Sequence, residues 1–193
     1  TKYPDLTEAI EMLQGWDRNT DVNSIPTTLF GSFIKTIWDD RHYGDYEFIT
    51  GITPLTEEQT IDYLKRAKEF MLKNFGTIRV PWGEVHKLRR GDKALSIESF
   101  ADLLSPSYPK ANIINGKLEF NPEHGDTYCM FVQYGKDGAE TIETLEPLGN
   151  SLNPTSKHYA DQMEIFTKKQ HKQMPFDKSY WLTHAETTYH PKR

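Results

Sequence analysis

The feature that most limits the fold is a change in the spacing of apolar residues along the chain. From Thr7 to Phe75 they recur at helical intervals, whereas from Thr127 to Leu148 they alternate, so a helical face comes first and a pleated one after it. Ala9, Ile10, Met12 and Leu13 define a short amphipathic helix that Gly15 should end. Leu29, Phe30, Phe33, Ile34, Ile37 and Trp38 form a broad apolar face on a second helix, which opens near Ser24 and Pro26. Thr56-Glu57-Glu58-Gln59 fits a capping box, and the helix it starts carries Ile61, Leu64, Ala67, Phe70, Met71 and Phe75 as a stripe before stopping at Gly76. Core packing accounts for that stripe better than a groove for a partner. The fold class that follows is α+β, helices first and antiparallel strands after.

The second half is less regular. Gly83 and Gly91 bracket charged and apolar residues, within Val80 to Asp92, that cannot form one amphipathic helix. Residues 101–126 hold Pro106, Pro109, Gly116, Pro122 and Gly125 and read as mostly loop. Thr127 to Tyr134 and Ala139 to Leu148 read as two strands of a hairpin closed by Gly135-Lys136-Asp137-Gly138. Tyr128, Met130 and Val132 alternate against Cys129, Phe131 and Gln133, so the first strand is apolar on both faces, as in the middle of a layered sandwich. The second alternates more openly and reads as nearer an edge. Gly149 to Gln162 reads as a strand exit, a polar turn around Pro154 and a helix start capped by Thr155 or Ser156, the helix running from Tyr159 to Lys172. Tyr180 to Tyr189 reads as a last extended piece. Without a repeat or a convincing linker, the chain reads as a single segment over 1–193, mainly helical over 1–78, with hairpin, helix and final strand over 79–193.

Composition excludes some functions. A formal charge of −5 argues against phosphate-driven nucleic-acid binding, and the pair Arg89-Arg90 is too short to reverse that. No apolar run approaches the roughly 20 residues of a membrane span. The single cysteine, Cys129, excludes an internal disulfide and a cysteine-cluster zinc site. The chain opens on Thr1-Lys2-Tyr3-Pro4-Asp5, without an initiator Met or a signal pattern, so a mature product or a fragment is expected.

Residues with catalytic chemistry have ordinary readings. Ser151, in Gly149-Asn150-Ser151-Leu152-Asn153, lacks the second glycine of a nucleophile elbow and reads as a turn residue. His86, His124, His158 and His171 stand alone in sequence, while His184 and His190 are too far apart on an extended strand to share an ion, so surface or capping roles are expected and no metal site. Thr1 is chemically suitable as an N-terminal nucleophile, but Lys2-Tyr3-Pro4-Asp5 leads into a surface helix and not a buried strand. Glu57-Glu58 and Asp39-Asp40 sit at a helix start and a helix end, where solvated roles suffice.

Several runs together resemble a known family. Leu13-x-x-Trp16-Asp17 followed by Ser24 and Leu29-Phe30, the Trp82-Gly83, His86 and Arg90-Gly91 segment, the run from Gly149 to Gln162, and the Met174-Pro175-Phe176 tail are similar to the C-terminal part of the β chain of penicillin acylases, which are N-terminal nucleophile hydrolases. The chain departs from that pattern at Leu95 to Phe100, where the family usually continues with Pro and several glycines. The resemblance implies an α/β/β/α sandwich to which this segment adds outer helices and strands, with the 80–92 segment crossing the surface between helices and sheet. It implies hydrolysis of linear amides of acylated small molecules, such as β-lactam side chains or acyl-homoserine lactones, through an acyl-enzyme on an N-terminal Ser carried upstream. No catalytic residue, cofactor or metal is then expected in this segment. Gln133 is the one candidate for a supporting role, because some related acylases carry at the matching strand position a Glu that orients a histidine. The expected partners are the remainder of the same enzyme, its α chain and the N-terminal part of the β chain, and the acylated amide substrate. The expected location is periplasmic or secreted. The competing expectation is a non-catalytic α+β binding or interaction domain.

Overall fold

The computed structural model describes residues 2–40, 54–100, 108–125 and 127–190. The chain is α+β and divides into two compact units, Thr1–Gly125 and Asp126–Arg193. That division was not visible in the sequence, which reads as one segment over 1–193, and it does not fall at the end of the helical part near residue 78. Two hairpins stay with the helices: Leu118 and Phe120 of one enter the same core, and Arg89 of the other pairs with Glu119 between them.

In the first unit, α1 (Thr7–Gln14), α2 (Ile25–Asp40) and α3 (Glu57–Phe75) supply the helical side. Both ends of α3 follow from local chemistry. The Thr56 hydroxyl accepts from the Gln59 amide at 3.2 Å, and the Thr56 amide donates to Gln59 Oε1 at 2.9 Å. Gly76 takes a left-handed conformation, φ 72°, and returns its amide to the Leu72 carbonyl. Tyr63, Leu64, Ala67 and Met71 face the core, while Arg66 holds Asp40 at the end of α2 through two hydrogen bonds of 2.5 and 2.9 Å.

The buried face of α2 differs from the expected one. Of the six large residues assigned to it, only Leu29 and Ile37 are buried, together with Thr27, Thr28, Gly31, Ser32 and Thr36, and Phe30, Phe33, Ile34 and Trp38 are half-buried. At Gly31 the cause is Trp82, which is wholly buried. A methyl group on Gly31 would lie 3.2 Å from its ring, so the helix surface that meets it must be small.

Trp82 belongs to α4 (Trp82–Val85), a single turn leading into β1 (Lys87–Arg90) and β2 (Lys93–Ser96). This stretch is the centre of the core and not a surface crossing as the resemblance implied. Its backbone is tied to the loop before α2 by Trp82 N–H to the Ser24 carbonyl, 3.0 Å, and Gly83 N–H to the Val22 carbonyl, 2.8 Å. A Cβ on Gly83 would sit 2.7 Å from Val22 Cβ, so this approach requires glycine. The Trp82 indole donates to the Ser99 carbonyl at 2.9 Å, and its ring centroid lies 5.6 Å from Phe100, 5.2 Å from Phe120 and 4.5 Å from His86.

Residues 108–124, expected as loop, form a hairpin of β3 (Tyr108–Ile114) and β4 (Lys117–His124). Asn115 and Gly116, φ 51° and 77°, make the tight turn that suits the strand twist, and Leu118 and Phe120 bury against the core. Pro109 and Pro122 face each other near the open end, so neither interrupts the ladder beside the turn. Arg89 on β1 and Glu119 on β4 join at 2.7 and 2.6 Å in a two-pronged pair that is mostly shielded.

The second unit holds a three-stranded antiparallel sheet in the order β5 (Cys129–Tyr134), β6 (Glu140–Leu145), β7 (Lys172–Gln173). The hairpin turn is the expected one, with Gly138 at φ 80°. The placement of its strands is reversed. β6 is central, with Ile142, Thr144 and Leu145 buried, and β5 is an edge whose apolar residues stay exposed on both faces. The helix expected over Tyr159 to Lys172 shrinks to α5 (Met163–Thr167). The Gln162 amide donates to the Leu148 carbonyl at 3.1 Å, and the His158 carbonyl accepts from the Ser151 amide, so the helical bond between these two residues is not made. The expected final strand is instead α6 (Lys178–His184), because Asp177 caps it by accepting from the Ser179 amide at 2.9 Å.

If Trp82 is the volume around which the first unit packs, Trp82→Ala should lower its unfolding free energy by about 3–5 kcal/mol, read from urea denaturation.

Candidate functional site

Serine, histidine and acid do meet in the Gly149 to Gln162 run, but not as a hydrolytic triad. Gly149 is needed where a Cβ would run into the His158 carbonyl, which itself accepts from the Ser151 amide at 3.2 Å. The His158 imidazole lies between two carboxylates, Nδ1 2.8 Å from Asp161 Oδ2 and Nε2 3.2 Å from Glu186 Oε1. Lys157 also holds Glu186. With both nitrogens engaged, His158 has none left to accept a proton from Ser151, and a nucleophile without a base is inert. The Asp161 and Glu186 hydrogen bonds raise the His158 pKa above its ordinary value. The run is a charged clasp between a turn and the residues after α6.

His86 is a core residue and not the surface or capping histidine expected. Its ring is fully buried against Trp82, Nδ1 lies 3.0 Å from the Ile97 carbonyl and therefore carries the proton, and Nε2 has no partner among the described residues. Burial pushes its pKa down to about 3, against the opposing pull of the Ile97 carbonyl. His171 is bonded to Glu143 at 3.2 Å and lies over Phe131, and His184 is stacked on Tyr180. Among the described residues no three His, Cys, Asp or Glu side chains are placed to share a metal ion. Thr1 lies outside the described residues. Asp39 pairs with Lys35, Asp40 with Arg66, and Glu57 with Lys2 and Tyr3, which are roles in tying elements together.

Gln133 is exposed on edge strand β5, opposite Thr141, and its side chain makes no hydrogen bond among the described residues. Phe131, on the same face, meets the His171 ring at 4.4 Å. Met130 and Tyr134, on the other, are 52% and 70% exposed, which leaves a strand with apolar flanks that pairs with β6 alone among the described strands.

The remaining feature is an open, mainly apolar groove of about 490 Å³ in the first unit, assembled from residues far apart in the chain. Trp16, Phe30, Phe33 and Phe100 form its aromatic wall, with ring centroids 5.2 to 6.2 Å apart between neighbours. Leu13 of α1 and Leu64 of α3 add aliphatic surface, and Arg18, Thr20 and Thr60 contribute polar groups. The only hint was Trp16-Asp17, an aromatic residue placed just beyond a helix stop.

Two titrations follow from these histidines. His158 should titrate above about 6.5 by imidazole NMR, and the stability it adds should be present at lower pH and lost as pH rises through its folded pKa; Asp161→Asn should move the titration down. His86 acts in the opposite sense. Its unfolded form takes a proton below about 6.5 while the folded form does not until about 3, so it should cost about 1.4 kcal/mol of stability per pH unit of acidification in that window. In urea unfolding at a series of pH values, His86→Gln should flatten that part of the slope.

Where a hydroxyl does meet a base, Thr183 beside His184 and Ser96 beside Lys87, each at 3.0 Å, the hydroxyl donates to a backbone carbonyl instead. The chain matches the family model described as Penicillin amidase over residues 2–181, which takes in the core built on Trp82, strand β5 and the His158–Asp161 side of the clasp. The chain belongs to the penicillin amidase family.

Proposed function

We propose that this chain is the C-terminal, structural segment of the β chain of a penicillin acylase-like amidohydrolase. By family the chemistry is hydrolysis of an amide. In the proposed whole enzyme an N-terminal Ser, on a segment other than this one, attacks the amide carbonyl while its own α-amine takes the hydroxyl proton. The amine leaves, an acyl-enzyme remains, and water releases the acid. Asn and backbone amides outside this chain stabilise the oxyanion.

One observation carries the assignment of a structural role: β5, which pairs with β6 alone among the described strands, has exposed apolar residues on both faces, Met130 and Tyr134 on one and Phe131 on the other. Such a strand is suited to the interior of a larger sheet, and the remainder of the enzyme is the partner we infer for it, within an α/β/β/α sandwich. The engagement of both His158 nitrogens by carboxylates supports the same role, since it removes the one local candidate for a base. Under this reading Gln133 lies at the joint, where its amide can hold an imidazole but cannot stabilise its cation as a carboxylate does. Export to the periplasm or beyond, and maturation of a precursor by self-cleavage, belong to the same proposal.

The full-length protein should cleave a chromogenic acyl amide and, when quenched during turnover, carry the acyl mass on a peptide beginning with Ser from outside this chain. Met130→Lys, which sets a charge on the β5 flank, should reduce recovery of the assembled enzyme. Acyl mass on a residue of this chain, or hydrolysis by this chain alone, would overturn the reading. A full-length protein that assembles but forms no acyl-enzyme would favour the binding-domain alternative.

A further inference from the structure

Three arginines of the first unit are neutralised within it: Arg66 by Asp40, Arg79 by Glu8 and Arg89 by Glu119. Arg18 is different. It lines the aromatic groove, and its side chain has no hydrogen bond or ion pair among the described residues. Its backbone is left-handed, φ 65°, a conformation that a residue with a long side chain keeps only when its surroundings impose it. Here they do. The Asn19 carbonyl accepts from the Trp16 indole at 2.8 Å and from the Thr27 hydroxyl at 3.1 Å, and the Asn19 amide donates to Asp17 Oδ1 at 2.8 Å. The loop is pinned on both sides of Arg18, so the backbone that carries this groove-lining cation is held in place, and no partner among the described residues draws the side chain away.

The groove's chemistry then selects its ligand. Its volume of about 490 Å³ is that of a small-molecule site, its wall is aromatic, and Arg18 is the one cation among the described residues that line it. Thr20, whose hydroxyl has no partner among the described residues, adds a donor nearby. A guanidinium presents paired donors that match a carboxylate, and a single positive charge suits a single negative one. We propose that this groove binds a small amphiphilic carboxylate, its aryl or alkyl body against Trp16, Phe30 and Phe100 and its head on Arg18. Hydrolysis of an acyl amide releases acids of this class, but the assignment is read from the groove alone and does not depend on the amidase reading.

The test is equilibrium binding to the full-length protein, followed by titration calorimetry and by the shift of the Trp16 indole N–H signal. The probes are phenylbutyrate, its neutral amide, and butyrate, which lacks the ring. Phenylbutyrate should bind about tenfold or more tighter than either control, as expected for a charge-assisted pair beside an apolar wall. Arg18→Gln should abolish the preference for acid over amide, Arg18→Lys should keep part of it, and Phe30→Ala should weaken acid and amide alike. Equal affinity for acid and amide, acid binding that survives Arg18→Gln, or no shift at Trp16 on saturation would overturn the proposal. Because the readout is binding, an enzyme without amidase activity would leave it standing, and an active enzyme could still refute it.

Discussion

The first unit depends on one buried indole. Trp82 contacts elements from both sides of the unit, and nearly every unusual local choice around it is a response to its volume. Gly31 keeps α2 clear of the ring, Gly83 lets the backbone meet Val22, and Phe100, Phe120 and His86 close the remaining sides. The Trp82 N–H groups are both satisfied, by Ser99 and Ser24, so a large polar-tipped side chain is buried without an orphaned donor. His86 completes the arrangement as a neutral aromatic ring. A charged one there would lose its hydration with no anion to compensate.

What could be read in advance was what the chain states locally. The start and stop of α3 were legible because Thr56, Gln59 and Gly76 act within four residues of the groups they satisfy. The β5–β6 hairpin was legible because its Gly-rich turn lies between two alternating runs. The β3–β4 hairpin had as good a signal in Asn115-Gly116, but the prolines at its open end hid it, since proline is harmful only where a ladder amide is needed. The inward face of α2 was not legible. Counting hydrophobicity favours Phe30 and Phe33 for the interior, whereas the face that meets Trp82, some fifty residues later, is the one that holds Gly31.

The same distinction separates the parts of the candidate sites. The family could be recognised from short runs such as Trp16-Asp17 and Gly149 to Gln162, and that recognition correctly implied amide hydrolysis as the family's chemistry. The roles of single residues needed distances. His158 finds Glu186, which is 28 positions away, and the groove beside Arg18 exists only once α1, α2 and α3 have packed. The helix expected after Pro154 failed for a different reason, competition: the strand exit took the Gln162 amide at Leu148, and the turn took the His158 carbonyl through Ser151.

The exposed edge of β5 has a consequence in time. Its hairpin with β6 is closed by a four-residue turn and can form within microseconds, on local contacts alone. Any strand from a distant part of a longer chain must reach the edge by a search through a much larger loop, which is slower. Between those two events a six-residue stretch rich in β-forming side chains, Cys129 to Tyr134, carries no charge, proline or bulge to discourage another copy from pairing with it. The yield of soluble protein would then be set by a race between two partners for the same backbone, and it would fall as concentration rises, because only one of them, the second copy, gains from crowding.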